Sequence, residues 1–503
     1  MLVSHSFENN TRAVYHPNVP YPLGLAYLAS SLEEAGHKVD VLWLSCFQFL
    51  LAHRLLLSEL DRLHPDVLGI QMLSVNRVSS YRLIEHCLAN YPELPIVVGG
   101  IHASLMAEQI VERFKKVIVV IGEGEATLLE LLSAIGAGGD LARVKGIAYW
   151  RGDAVVRTEE RDLLYAIDSL PHPKHILFFD AEPERTTGYI LTSRGCPFEC
   201  SFCCLYPSSR RKYRERNTDD VVSEIVGLKH RYPRLRTVVI LDDTFTLDND
   251  RVVEFCQRII ALDLNIDFIA AGRVKPVAEE MLGYMEKAGF RRLEFGVETG
   301  AENLMHNNRK GITRADVEDL FRKISRFNIA IAIYLIVGLP GEDEDTVDET
   351  VSFVKNLQNI RYFCLEGLCK LWAYPGTEIY EIMKASGHIS DQFWLTDRDV
   401  PYFTAEHNLS ALMRFEQKML AHLSTLKILT LDGFRYHFLD NPATVLRFLR
   451  QNRHLAKAIL VEAVKTPAVA LTIRFPGLLD QLRRLRRRIL LPRERYHLKR
   501  LYG

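Results

Sequence analysis

The sequence is first narrowed by what it does not contain. No apolar run reaches the roughly eighteen residues that a membrane-spanning helix requires. The opening Met1-Leu2-Val3-Ser4-His5 has neither the basic start nor the apolar core of a secretion signal. Neither charge sign is in surplus, with 63 Lys and Arg against 63 Asp and Glu, so nothing in the overall charge points to nucleic acid. Internal repeats and low-complexity tracts are missing too. Cysteine is sparse, nine in 503 residues, and four of the nine fall between Cys196 and Cys204. That clustering excludes a disulfide framework and reads as metal chemistry in a reducing compartment. A cytoplasmic protein is the expectation.

What is present is ordinary globular material, 48% hydrophobic and 25% charged, long enough for about three domains. The charge is unevenly placed. From Arg474 to Gly503 there are ten Arg and Lys against Asp480 and Glu494, which leaves that tail near +8 and the rest near −8.

Residues 1–150 alternate amphipathic stretches with short apolar runs. Helices are expected over Leu23–Ala35, Ser79–Asn90 and Ala126–Ile135, and strands over Lys38–Leu44, Asp66–Leu73, Pro95–Val98 and Val117–Ile121. Continuous β-branched runs between helices imply a parallel sheet covered on both faces. The expected fold is a doubly wound, Rossmann-like α/β domain with ligands beyond the carboxyl ends of its strands. Residues 151–185, with Asp153, Pro171, Pro173 and Pro183, read as a linker. Over 186–390 the βα rhythm restarts, with strands at Tyr189–Ser193, Thr237–Leu241, Asp267–Ala271, Arg292–Val297, Ile329–Val337 and Tyr362–Leu371. Six such strands predict an open or partial (β/α) barrel. Residues 391–503 turn helical, at Phe415–Leu431, Ala443–Asn452 and Leu478–Leu490, and end in the basic tail.

Cys196, Cys200 and Cys203 stand in a C-x-x-x-C-x-x-C loop directly after the first barrel strand. Three thiolates on one short loop can hold three irons of a [4Fe–4S] cluster and leave the fourth iron open. The alternative is zinc, which calls for four closed Cys or His ligands. No second C-x-x-C or paired His follows, and Cys204 beside Cys203 points elsewhere.

The run Thr192-Ser193-Arg194-Gly195-Cys196-Pro197-Phe198-Glu199-Cys200-Ser201-Phe202-Cys203 resembles the radical S-adenosylmethionine (SAM) superfamily. The resemblance implies a partial (β/α)6 TIM-type barrel in which SAM chelates the open iron. It also implies that an electron donor such as flavodoxin or ferredoxin reduces the cluster, which then cleaves SAM to a 5′-deoxyadenosyl radical. Other SAM contacts follow from matching segments: Phe202 in the loop, Asp242 with Asp243 in LDDTF, and Arg273 in AGRV as a fork for a carboxylate. Glu298 in FGVET would face the ribose or amino group, and Gly338 and Gly341 in GLPGE would admit adenine. The YPGT turn at Tyr374–Thr377 also matches and reads as structural.

The N-terminal half resembles the cobalamin-binding domain that precedes the barrel in one radical SAM subfamily. The matching runs are PLGLAYLA from Pro22, EAGH from Glu34, VGGIHA from Val98 and GEGE from Gly122. Carried over, the resemblance puts Ser74, Val75 and Asn76 beneath the cobalt, Gly99, Gly100 and His102 on the next loop, and Gly122, Glu123 and Gly124 along the nucleotide tail. No D-x-H-x-x-G occurs. The expectation is therefore cobalamin with its tail detached and no protein histidine on cobalt, His102 serving as a hydrogen-bonding group.

The function implied is methylation of an unactivated carbon or phosphorus in a small or lipid-like substrate. Two alternatives remain: a non-methylating cyclase, rearrangement or oxidation enzyme with the same cofactors, as in the anaerobic porphyrin cyclases and hopanoid-type enzymes, and a non-catalytic cobalamin or redox sensor. A methylthiotransferase would carry a further N-terminal cysteine triad, which Cys46 and Cys87 do not make. Residues 478–503 form a basic amphipathic pattern, with Leu478, Leu479, Leu482, Leu485 and Ile489 on one stripe. This suits peripheral contact with an anionic membrane, or else a helix packed on the barrel with solvated arginines.

Overall fold

Runs such as Val117–Val120 and Ala330–Val337 place apolar residues on both strand faces, which suits strands covered by helices from two sides. The computed structural model describes residues 1–5, 20–44, 49–182, 184–205, 209–361, 363–396 and 403–423, and in it these runs assemble into two largely parallel sheets.

The first sheet holds β1 (Leu2–His5), β2 (Val41–Leu44), β3 (Leu68–Gln71), β4 (Ile96–Gly99), β5 (Val117–Val120), β6 (Ile147–Arg151) and β7 (Ala154–Arg157). Their order is β2-β1-β3-β4-β5-β6-β7, parallel through β5 and antiparallel thereafter. This is the doubly wound architecture expected, with helices Leu23–Glu34, Phe49–Leu63, Arg77–Asn90 and Gly124–Gly136 among its connections. β1 and the helix Phe49–Leu63 were not anticipated. The sheet also runs past residue 150: a Gly152-Asp153 turn, with Gly152 at φ +61°, joins β6 to β7, so residues 154–157 are an edge strand rather than linker.

The second sheet holds β8 (Thr187–Ile190), β11 (Thr237–Ile240), β12 (Asp267–Gly272), β13 (Phe290–Glu298), β14 (Ala330–Val337) and β15 (Cys364–Lys370). All its pairings are parallel and its order is β15-β14-β13-β12-β11-β8, which gives a six-stranded barrel left open between β15 and β8. The first strand stops at Ile190. Ser193–Arg194 forms a separate strand, β9, in a two-residue ladder with β10 (Arg214–Glu215). In β15 the register passes from Ile333↔Leu365 to Tyr334↔Gly367, so Glu366 is a bulge residue.

After β15 the chain crosses to the first domain. Leu371, Ile379, Tyr380 and Trp394 share a core with Leu68, Ile70 and Val98. Helix Leu409–Leu423 then returns to the barrel, whose core receives Leu412, Phe415 and Met419. Residues 424–503, including the expected helices Ala443–Asn452 and Leu478–Leu490, lie outside the described residues. Among the described residues no helix is long and apolar enough to cross a membrane.

Candidate active site at the carboxyl ends of two sheets

The cysteine loop is fixed at its root. Gly195 sits at φ +86°, and a Cβ there would lie 2.2 Å from the Lys212 carbonyl oxygen, so no other residue fits. Its amide donates to Asp243 Oδ2 at 3.0 Å. Burial pushes the Cys203 thiol up to about 12, and Cys204, Cys200 and Cys196 reinforce the shift. Cys196 is also raised, by burial first and then by Asp243 and Cys200. Burial thus keeps Cys196 and Cys203 protonated until a metal displaces the protons. Among the described residues no three Cys, His, Asp or Glu converge on a point where one ion could sit, as zinc would require. A cluster binds each thiolate to a different iron, so this donor set fits it.

Arg273, at the end of β12, is buried beside this loop. Its guanidinium lies 3.6 Å from the centre of the Phe198 ring, and Nη1 stands 3.9 Å from Cys200 Sγ. Thr246 holds its backbone through bonds of 3.1 and 3.3 Å. Among the described residues Nε and Nη2 have no hydrogen-bond partner. Buried guanidinium N–H groups left unpaired are costly, and a carboxylate supplies the matching acceptors. The SAM carboxylate fits here.

Glu298 ends β13 in the left-handed region, φ +67°, a strained conformation for a non-glycine residue. Its Oε1 accepts from Lys310 Nζ at 2.8 Å, and that pair fills the space over Gly296. Lys310 also lies 5.8 Å from the centre of the Phe202 ring. It is a site residue that sequence reasoning missed, because nothing in the chain marks its return to Glu298 twelve residues away.

Two of the expected SAM contacts are reassigned. Asp242 is turned back toward the end of β8, accepting from the Thr192 amide at 2.6 Å, from Ser193 Oγ at 2.6 Å and from Thr192 Oγ1. It fastens the strand ends together, while Asp243 faces the cysteine loop. Asp243 is open to solvent as a residue, yet atoms crowded around its carboxyl, with Asp242 adjacent, raise it to about 6. Gly338 is glycine for an internal reason: at φ +96°, its Cβ would lie 2.7 Å from Leu412 Cδ2. It makes room for helix Leu409–Leu423 rather than an open adenine cradle. Gly341, at φ +82°, donates its amide to Glu406 Oε2 at 2.8 Å. Glu342, next after Gly341, is buried and accepts from the Gly338 amide; burial raises its carboxyl to about 7.

On the first domain, the loops expected to carry cobalamin follow β3, β4 and β5, at the carboxyl ends of neighbouring parallel strands. His102 is completely buried and both ring nitrogens are engaged, Nδ1 with Ser74 Oγ at 2.9 Å and Nε2 with Tyr81 Oη at 3.2 Å. Tyr81 donates in turn to the Trp394 carbonyl at 3.2 Å, so Nε2 carries the proton and Nδ1 accepts from Ser74. His102 therefore supports Ser74 from beneath and presents nothing to a ligand. Asn76 is buried as well, its Oδ1 accepting from the Leu73 amide at 2.7 Å to close the turn, which leaves Val75 at the half-exposed tip. Gly100 is required by close packing, since a Cβ would lie 2.6 Å from the Met72 carbonyl oxygen, whereas a Cβ at Gly99 would meet only Val120 at 3.9 Å. Gly122, at φ +81°, has open space beyond its Cα and suits a long ligand tail. Gly124 instead lets its helix approach Leu28, and Glu123 points into the barrel domain. A half-exposed Val75 and the room over Gly99 suit a flat corrin and the open Gly122 its tail, whereas Asn76, His102, Glu123 and Gly124 are engaged with the protein itself.

Comparison with known proteins finds two family models and several relatives. A family model described as the radical SAM superfamily matches residues 190–354, and one described as a B12 binding domain matches residues 13–132. An uncharacterized methyltransferase of Pyrococcus horikoshii is 28% identical over 455 residues, 87% of this chain and 95% of its own length. An anaerobic magnesium-protoporphyrin IX monomethyl ester cyclase of Cereibacter sphaeroides is 28% identical over 341 residues, 65% of this chain and 55% of its own. The solved structure of the radical SAM methyltransferase TsrM from Kitasatospora setae, with cobalamin and [4Fe–4S] cluster bound, gives a TM-score of 0.63 at 22% identity. It covers 77% of this chain and 75% of that one. At that identity the likeness establishes the shared fold.

Proposed function

The chain belongs to the radical SAM superfamily and carries a B12-binding domain ahead of its barrel, and from this we propose that it is a cobalamin-dependent radical SAM methyltransferase acting on an unactivated carbon or phosphorus. The observation that carries the reading is Arg273, buried next to Cys200 with two guanidinium nitrogens, Nε and Nη2, unpartnered among the described residues. When bound, a reduced cluster with SAM supplies a radical able to remove hydrogen from an unreactive bond, and methylcobalamin supplies the methyl group. Cys196, Cys200 and Cys203 would hold the cluster. Arg273 would clamp the SAM carboxylate, the Glu298–Lys310 pair would orient its polar end, and Phe202 would shield one side from water. Ser74, Val75 and Gly99 would carry the corrin, and Gly122 would border its tail.

Detachment of the nucleotide tail with no histidine on cobalt is supported by the engagement of both His102 nitrogens. A small or lipid-like substrate is proposed, along with an acidic electron carrier of the flavodoxin or ferredoxin type. Non-methylating chemistry is the second reading, because the cyclase relative is as similar by identity as the methyltransferase one. Protein reconstituted anaerobically with iron, sulfide and hydroxocobalamin, then reduced in the presence of SAM, separates the readings. Methyl transfer requires S-adenosylhomocysteine to appear beside 5′-deoxyadenosine. Production of 5′-deoxyadenosine alone favours the second reading, and production of neither removes both.

A further inference from the structure

The loop after β5 and the cysteine loop belong to different sheets, yet one partly buried group of four charges joins them. Arg194 and Arg214 are directly paired residues of the β9–β10 ladder, where like charges repel. Both close on one carboxylate. Arg214 grips Glu123 with both arms, Nη1 to Oε2 at 2.8 Å and Nη2 to Oε1 at 2.9 Å. Arg194 adds Nη1 to Glu123 Oε1 at 3.2 Å and sends Nη2 to Glu125 Oε1 at 2.7 Å. The Leu164 amide donates to Glu123 Oε2 at 3.0 Å. Burial resists ionisation of Glu123, but the Arg214 bonds and the Arg194 charge win and hold its carboxyl below the ordinary range. The arginine side chains are only 14% and 5% exposed, so loss of the shared anion would leave two poorly hydrated cations facing each other.

The neighbours of this group give it a further meaning. Glu123 follows Gly122, the open glycine of the corrin platform, whose amide is pinned to Ser104 Oγ at 2.9 Å. Arg194 precedes Gly195, held against Lys212, and then Cys196. A rigid path of a few residues therefore runs from one cofactor platform to the other through the Glu123 carboxylate. We infer that Glu123 is a positioning residue that sets the separation and orientation of the cobalamin platform relative to the cluster loop, and is not itself a cobalamin ligand. The inference rests on the proposed function, since it needs both cofactors.

Holo-protein carrying cobalt(II) cobalamin and a reduced [4Fe–4S] cluster contains two unpaired spins, and pulsed paramagnetic resonance reads the distance between them. Wild-type protein should give one narrow distance. Glu123→Gln should broaden or shift it while cobalt and iron contents stay within twofold, and Arg194→Lys, which keeps the charge but loses the second arm, should do the same if Glu123→Gln fails to fold. Hydrogen exchange supplies a second reading that needs neither cofactor: residues 117–136 and 187–205 should exchange faster together in the variant. An unchanged distance, a rise in exchange confined to 117–136, or a tenfold loss of cobalamin affinity with the distance preserved would each overturn the inference. Wild-type protein that binds neither cofactor would overturn the proposed function instead, and the exchange experiment would still decide the role of Glu123.

Discussion

At the scale of single residues, the cysteines and Arg273 make separable predictions. Cys196→Ala, Cys200→Ala and Cys203→Ala should each abolish the iron and sulfide content expected of one cluster, whereas Cys204→Ala should retain it, because the three-thiol loop is complete without that residue. Cluster loss in Cys204→Ala with retention in Cys203→Ala would sink the assignment. Arg273→Lys keeps the charge but replaces the planar fork with a single point donor. SAM binding, measured calorimetrically on protein with full iron content, should weaken about tenfold or more, in line with roughly 1.4 kcal/mol for a charge-assisted bond. Burial, aided by the Arg77 charge, depresses His102 to about 3. An unfolded histidine takes its proton near 6.5, so below that pH the unfolded chain binds more protons than the folded one. Stability should then fall by up to about 1.4 kcal/mol per pH unit on the way toward 3. The melting midpoint of wild-type protein should drop more between pH 7 and 5 than that of His102→Gln; parallel drops would exonerate this residue. Which of these side chains matter was only partly legible in the sequence. The thiol spacing and Arg273 could be read directly. The choice between Asp242 and Asp243 could not, because neighbouring residues at a strand end face opposite ways and sequence carries no absolute face.

At the scale of elements, all six barrel strands were legible within a few residues, since apolar runs bounded by helical patterns leave little freedom. The exceptions have physical causes. β1 spans only Leu2–His5 at the chain start, with no preceding pattern to frame it, whereas Phe49–Leu63 does carry a readable stripe, Ala52, Leu56 and Leu60 at i, i+4 spacing, that the sequence reading passed over. The β6–β7 hairpin did announce itself through Gly152-Asp153 between two apolar runs, a turn signal masked because Pro171, Pro173 and Pro183 further along give residues 151–185 the look of a linker. The role of Gly338 was invisible because its partner, Leu412, lies on a helix some seventy residues away. That contact also makes a prediction. Leu412→Ala should lower stability by about 2–5 kcal/mol through the cavity it leaves. It should also loosen the Gly338–Glu342 loop, seen as faster hydrogen exchange there; unchanged exchange would mean that the helix merely rests on the barrel.

At the scale of the whole molecule, the charge tally divides the chain into a tail near +8 and a remainder near −8. If the tail docks on membranes, intact protein should sediment with anionic vesicles at low salt and be released at high salt, while a chain ending near Pro476 should not bind. Equal behaviour of the two would leave the tail a cap on its own protein. The open barrel bears on the same scale. A parallel sheet with two free edges is a template on which a second copy could add strands. Here the outer edge is β15, kinked by the Glu366 bulge, with Glu366 itself salt-bridged to Arg292 and Lys370 to Glu416. A bent edge dressed with charge is a poor template for fibrils or for end-to-end polymers. The barrel can therefore stay open along β15 without that edge becoming a site of self-association.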